Sequence, residues 1–554
     1  MAFTQTSPQL GNQYADDRVL RSYLARALPP DVLTAAEPEL SHVGALAGGE
    51  LYRLQLADRL NEPRLIQYAP WGDRIDHTEL TPLWQRAEAL AAQHGLIAVA
   101  YEKAHDEFSR VVQFALAYLF TPSTDIYSCP LAMTDGAATA LLASGNAALV
   151  EHAVPHLTSR DPQQFWTSGQ WMTETAGGSD VGRSEAVARN EDGAWRLYGR
   201  KWFTSAINSQ MALTLARPES NPAGAKGLAL FYVETRDADG RPNGIRIDRL
   251  KDKLGTRKVP TAELTLDGAI AQPVRGLADG VRSIAPMLNV TRAWNSVAAI
   301  ALMRRGIALA RDFAGRRNAF GAPLAEKPLH LDTLAGLQAE FEAAFHLTFF
   351  VAELLGRHDA GRASTEQQSL LRLLTPIAKL TTARQSVAVL TEVIEAFGGA
   401  GYIEDTGIPL LLRDAHVLPI WEGTTNVLAL DVLQVAASGA HFDAWRREIG
   451  FLLQGVREPA LIALSAVAER IADQAAQWLA QNSDQTLLEA GARRFALTLG
   501  RVFELVLLLR HAQWSLDHEK SRTALAAARR FAAHGVARIM PVDAQESGLL
   551  ARDG

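Results

Sequence analysis

At 554 residues, 48% hydrophobic and 21% charged, the chain is too long for one ordinary domain and reads as about two to four packed, globular units. The formal net charge of −6 argues against a molecule coated in nucleic-acid-binding charge. The single cysteine, Cys129, excludes an intrachain disulfide framework and any cysteine-rich zinc or iron–sulfur centre, and no metal site is expected.

The opening segment MAFTQTSPQLGNQYADD lacks the basic-then-apolar pattern of a signal peptide, and apolar runs such as residues 297–303 are too short to span a bilayer. The expectation is a cytoplasmic chain without membrane insertion. Residues 81–160 read as helices with short breaks: 81–95 with Leu83, Trp84, Ala87 and Leu90 on one face, then 136–149. From Trp195 the texture changes to WRLYGRKWFT, ALTLAR, LALFYVE, GIRIDRL and AELTLDGA, short β-rich runs separated by polar or Gly/Pro turns. They predict a small antiparallel sheet domain.

Helical periodicity returns after Asp279-Gly280, over residues 281–318, 330–357 and 365–397, with a stop at Gly398-Gly399 and a further helix from near Thr424. These suggest an antiparallel bundle. Residues 445–535 form another Ala/Leu/Arg-rich helical region with breaks near Pro459 and at 482–485. The predicted units are therefore 1–165, an N-terminal extension and helical domain; 166–278, a middle β domain; 279–440, a four-helix-bundle domain; and 441–554, an additional helical domain. This order is not the strand–helix alternation of a doubly wound sheet, and no GxGxxG, GxxxxGK(S/T), HExxH or GxSxG motif occurs.

Five segments are suited to chemistry. Met172-Thr173-Glu174-Thr175-Ala176-Gly177-Gly178-Ser179-Asp180 combines glycines that admit close backbone approach with hydroxyls that bind an anion or a polar ring edge. Lys201-Trp202-Phe203-Thr204 places an aromatic pair and a hydroxyl on a predicted strand. Arg317-Asn318-Ala319-Phe320-Gly321 and Gly398-Gly399-Ala400-Gly401-Tyr402 follow helices, and Glu422-Gly423-Thr424-Thr425-Asn426 precedes one. Taken singly these are turns, a buried strand and helix caps.

In this order, the five resemble the pattern T-E-x-x-x-G-S-D, K-W-x-T, R-x-x-F-G, G-G-x-G-Y, E-G-T of the acyl-CoA dehydrogenase superfamily over roughly residues 80–435. The segments NEPRLIQYAPWGDRIDHTELTPLW at 61–84 and RLKDKLGTRK at 249–258 look like its AidB branch of alkylation-response flavoproteins, which carries an N-terminal extension and an extra C-terminal helical domain. The implied fold is mainly α with a central antiparallel β domain: helical N-terminal domain, barrel-like middle domain, C-terminal helical bundle and an added helical domain.

The resemblance implies FAD held by Met172, Thr173, Gly178, Ser179, Trp202, Thr204, Thr424 and Asn426, with Arg317, Phe320, Glu395, Gly398 and Gly399 reaching the FAD of a neighbouring subunit in a homotetramer. It implies that Glu422 takes the α-proton of an acyl-CoA thioester while the β-hydride passes to flavin N5, with Arg292 near the base and an electron-transfer flavoprotein or another acceptor as partner. Thr291 cannot replace Glu422 as base. Two positions depart from the family: Glu395 stands where Gln is frequent, and Asn289 where an Asp commonly contacts the CoA adenine.

The alternative reading is a double-stranded-DNA-binding stress-protection protein with vestigial dehydrogenase activity. The last 114 residues hold 14 Lys+Arg against 13 Asp+Glu, while the remainder holds 41 against 48. Within 493–538, Arg493, Arg494, Arg501, Arg510, Lys520, Arg522, Arg529, Arg530 and Arg538 stand against only Glu504, Asp517 and Glu519. Sequence leaves acyl-chain length, the physiological acceptor and DNA binding open.

Overall fold

A computed structural model describes residues 5–541 and 543–553 and resolves two compact units. One comprises Glu50–Glu102 and Phe120–Trp294; the other comprises the chain up to Gly49, Lys103–Leu119 and the chain from Asn295 onward. The chain is mainly helical with a central β domain, as expected.

The first unit holds a hairpin, β1 (Arg64–Tyr68) and β2 (Arg74–Glu79), and a seven-stranded sheet. Its strands are β3 (Ser168–Trp171), β4 (Val187–Glu191), β5 (Ala194–Ser205), β6 (Met211–Pro218), β7 (Ala229–Glu234), β8 (Ile245–Leu250) and β9 (Thr261–Pro273). The order is β3-β6-β4-β5-β9-β7, with β7 returning to β6 and β8 flanking β9, so five strands close into a ring. The pairings are antiparallel except that β6 runs parallel to both β3 and β4. The sheet is therefore mixed, because β6 reaches those neighbours through intervening chain rather than through a hairpin.

Local chemistry explains the joints. Asp192-Gly193, at φ +52° and +82°, forms the two-residue turn joining β4 to β5, a conformation that Asp-Gly favours. Trp171, Leu197, Phe231, Val233, Ile247 and Leu264 fill the interior. The helix expected over 136–149 is instead two helices, Ser128–Ser144 and Ala147–Leu157. Gly145 ends the first at φ +72°, and the Asn146 side chain caps the second by accepting from Leu149 N–H.

The helical unit is built from long helices whose apolar positions recur every three or four residues. Pro328–Asp359 packs on Thr365–Ala396 and on Gln485–His518, which in turn packs on Pro459–Gln481 and Thr523–Ala533. Phe341, Phe345, Phe349, Leu373, Phe503 and Leu507 are among its buried side chains. Ser364 and Gln367 form a reciprocal capping box at the start of Thr365–Ala396. The 37-residue helix Gly280–Arg316 runs without interruption through the Trp294–Asn295 boundary. No helix among the described residues is long and apolar enough to cross a membrane.

Candidate active site

In the sheet unit, the first two sequence motifs are one construction. Trp202 N–H donates to the Thr173 carbonyl at 2.9 Å, and Glu174 pairs with Lys201 at 2.7 Å. Both charged side chains are buried, and Lys201 also donates to the Leu215 carbonyl while Glu174 accepts from the Glu185 and Ala186 amides. Burial lowers the Lys201 pKa, opposed by Glu174. Glu174 and Lys201 tie the two segments together, a role that their places in the motifs do not reveal.

The tie shapes the loop above it. Gly177 is at φ +121°, and a Cβ at Gly178 would lie 2.5 Å from Thr173 Oγ1, so only glycine leaves that hydroxyl its place. Met172 is buried, Thr173 half-buried, and Gly178 and Ser179 exposed. The β5–β9 register shifts between Lys201 and Thr204, a bulge that re-aims the aromatic pair; Phe203 is left 52% exposed and Trp202 half-buried. Lys251 Nζ lies 3.4 Å from the Trp202 ring centroid and pairs with Glu263 at 2.7 Å. Thr204 is fully buried with its hydroxyl donated to the Ala262 carbonyl at 2.6 Å, so its proton already has an acceptor within the sheet.

Arg292, in the same unit, is half-buried on the helix Gly280–Arg316, while the neighbouring Thr291 is buried and donates to the Leu288 carbonyl. Asn289 is exposed.

The helical unit carries the remaining motifs. Phe313 packs against Phe397 with ring centroids 4.7 Å apart and the rings tilted by 36°, which brings the Arg317–Phe320 and Gly398–Gly401 segments to one place. Arg317 is half-buried. Phe320 and Gly321, at φ +51° and +82°, form the tip of a hairpin in which Ala319 pairs with Ala322, and Phe320 is 98% exposed. Glu395, Gly398, Gly399 and Tyr402 are exposed, and Cβ atoms at the two glycines would meet open space.

Glu422 is half-buried in a turn where it adopts φ +55° and Gly423 φ +100°. Buried Lys379 donates to the Gly423 carbonyl at 2.7 Å, and the Thr424 side chain caps the helix Thr425–Ala437 by accepting from Val427 N–H. Trp421 Nε1 donates to Asn295 Oδ1. A left-handed backbone at a non-glycine residue costs about 1–2 kcal/mol, and these contacts hold it there. Lys379, which fastens the turn through the Gly423 carbonyl, is a contributor that the sequence does not reveal, since nothing in its helix marks it out.

The nine basic residues of 493–538 do not form one surface. Arg501 is only 5% exposed and makes a bidentate pair with Glu340 at 3.0 Å, which removes it from any phosphate-facing set. Nine residues on along the same helix, Arg510 lies half a turn away on the opposite side. Arg530 pairs with Asp332, Arg493 donates to Asn426 Oδ1, and Arg522 lies 3.9 Å from Glu458. Lys520 donates to the Asp517 carbonyl; Arg494 is half-buried, and Arg529 and Arg538 are exposed.

Four family models match in succession: the adaptive response protein AidB N-terminal domain at residues 5–163, the acyl-CoA dehydrogenase middle domain at 169–269, the acyl-CoA dehydrogenase C-terminal domain at 278–437, and an acyl-CoA dehydrogenase 11 C-terminal domain-like model at 443–548. The chain belongs to the acyl-CoA dehydrogenase family, a class of FAD-dependent oxidoreductases. It is 42% identical to acyl-CoA dehydrogenase family member 11 of Caenorhabditis elegans, over 92% of this chain and 86% of that one. It is 32% identical to the putative acyl-CoA dehydrogenase AidB of Escherichia coli K12, over 72% and 73%. The crystal structure of C. elegans ACDH-11 in complex with C11-CoA matches with a TM-score of 0.94 at 39% identity, covering 100% of this chain and 96% of that one.

The residues present suit FAD. The glycine cradle about Thr173, the out-turned Trp202 and Phe203, and the open backbone at Gly398-Gly399 offer hydrogen-bonding, aromatic and sterically free surfaces.

Proposed function

We propose that the protein oxidises an acyl-CoA thioester to the 2,3-enoyl-CoA, with Glu422 as the base and a CoA ester of medium to long chain as substrate. Support for the substrate class is the likeness to a protein crystallised with C11-CoA. The observation that carries the chemistry is Glu422 itself, a carboxylate held at φ +55° by a turn that Lys379 and Thr424 fasten. Such a fastened carboxylate is positioned to remove a proton from carbon rather than to search for one. Bound FAD supplies the two-electron acceptor for the β-hydride.

In this proposal Thr173, Ser179 and the Gly177–Gly178 amides bind the cofactor, Met172 and Trp202 pack against it, and Thr424 and Asn426 are cofactor-binding residues as well. Thr204 acts through its backbone and oxygen lone pairs, because its proton is committed to Ala262. Arg292 orients the thioester end. Arg317, Phe320, Glu395, Gly398 and Gly399 serve the cofactor of a second subunit in a homotetramer; an aromatic side chain 98% exposed at a left-handed hairpin tip supports this assignment. Electrons leave to an electron-transfer flavoprotein or an equivalent acceptor.

The test is anaerobic mixing of flavin-loaded protein with C4, C11, C16 and branched acyl-CoA thioesters. The expected result is flavin bleaching by at least one ester, abolished in Glu422→Gln at unchanged flavin content. Absence of bleaching by every ester, or equal bleaching by the variant, defeats the proposal.

A second reading, contact with double-stranded DNA, now rests on a narrower set of exposed residues: Lys520 and Arg522 in the connection between the helices Gln485–His518 and Thr523–Ala533, and Arg529 on the latter. If it holds, affinity for random duplex falls by about 0.9 log units per log unit of salt for each phosphate neutralised, and Arg529→Glu shallows that slope.

A further inference from the structure

Within the helical unit, the helices Pro328–Asp359, Thr365–Ala396, Gln485–His518 and Thr523–Ala533 contribute to a groove of about 720 Å³. Arg384, Arg493, Arg501, Arg530 and Arg538 line it, against three carboxylates, Asp332, Glu340 and Glu392. Two arginines are neutralised: Arg501 on Glu340, which also meets His534 at 2.9 Å, and Arg530 on Asp332. Among the described residues Arg384, Arg493 and Arg538 make no ion pair; the one hydrogen bond from the Arg493 side chain goes to the neutral amide of Asn426 at 3.2 Å. Glu392, exposed at the edge, makes none either.

The surplus positive charge is held under repulsion. Burial, then Arg384 and Arg494, lower the proton affinity of Arg493; burial, then Arg501, lower that of Arg538. Beneath the groove Glu504 is fully buried and its pKa is pushed up to about 8, so it is largely protonated at neutral pH and offers little compensating negative charge. Like charges gathered in a concave, partly desolvated place in excess of the counter-charge, here five arginines against three carboxylates, make a site for an anion. Leu337, Ala388, Val389 and Leu497 give the same groove an apolar wall, and its volume is that of a small-molecule site rather than of a bare inorganic ion.

We propose that this groove binds a small phosphate-bearing organic anion, its phosphate taken by Arg384, Arg493 and Arg538 and its planar or apolar body laid along Leu337, Val389 and Leu497. Guanidinium forks match phosphate oxygens bidentately, which favours phosphate over a monovalent halide. The proposal does not depend on the dehydrogenase reading, since none of these residues belongs to the proposed base or flavin set.

The test is calorimetric titration of the full-length, flavin-loaded protein with AMP, adenosine, inorganic phosphate and a 12-base-pair duplex. Expected is saturable binding of AMP at least tenfold tighter than adenosine or inorganic phosphate, weakened at least tenfold in an Arg384→Gln, Arg538→Gln double variant with unchanged flavin content. If the double variant does not fold, Arg384→Gln alone is used, and the wild-type ligand ranking still decides. Equal affinity for AMP and adenosine overturns the proposal, as does undiminished AMP binding by the folded variant. Binding of the duplex alone assigns the charge to nucleic acid instead, and loss of flavin together with AMP affinity assigns the groove to the cofactor.

Discussion

Glu422 is held where an ordinary side chain avoids going. Changing it to Gln preserves shape and backbone, so flavin content and thermal midpoint are expected to stay as in the wild type. The rate of flavin reduction is expected to fall by about 10²–10⁴, the worth of a positioned general base. Stopped-flow absorbance at the flavin band measures it. Glu174 and Lys201 make a different prediction. Removing one partner of a buried pair leaves an uncompensated charge, so Glu174→Gln or Lys201→Met alone is expected to lose about 3–5 kcal/mol, whereas the double variant loses less than the sum. Denaturant titration of the three variants tests this; strictly additive losses would mean that the pair does not act as a unit. At this scale the motifs are legible in the sequence because hydroxyls, glycines and a carboxylate advertise themselves by type. Lys379 and the role of Arg501 were illegible, because a lysine and an arginine within amphipathic helices look alike whether they face solvent or the interior.

The hairpin Asn318–Pro323 spends a left-handed backbone on Phe320 and then exposes the ring. Phe320→Gly relieves the conformational cost, so the isolated subunit is expected to gain or keep stability. If the ring serves a neighbour's cofactor, the same variant loses flavin retention. Flavin-to-protein ratio after gel filtration, read beside the thermal midpoint, separates the outcomes; a variant that gains stability and keeps all its flavin removes Phe320 from the cofactor site. The long helices and the β-rich middle were readable from periodicity of three to four and from alternating runs bounded by turns. The hairpin β1–β2 was not resolved as strands, and the parallel partners of β6 were invisible, since strand pairing is decided by packing remote in sequence. The split at Gly145-Asn146 was written in the residues, a glycine stop followed by an Asn cap, but the apolar pattern on both sides masked it.

For the molecule as a whole, two carboxylates of the helical unit, Glu504 fully buried and Glu340 partly so, titrate in opposite senses. Glu504, with its pKa raised from 4.5 to about 8 by burial, contributes stability that is present in full below about pH 4.5 and is lost as pH rises toward 8. Arg501 holds Glu340 down to about 2 against the cost of its burial, so its contribution is present above about pH 4.5 and disappears as pH falls toward 2. From Glu504, stability is therefore expected to decline between about pH 4.5 and pH 8, and Glu504→Gln to flatten that decline; urea midpoints across the range measure both, and parallel curves for wild type and variant would refute the assignment. The fully exposed tip at Phe320 also has a thermodynamic corollary. If it completes a cofactor site on another copy, subunit association and flavin binding share one free energy, and whatever factor association lends to flavin affinity, flavin must return to association. Dilution alone would then bleed cofactor from the protein, and the yellow colour of a sample would report its concentration history.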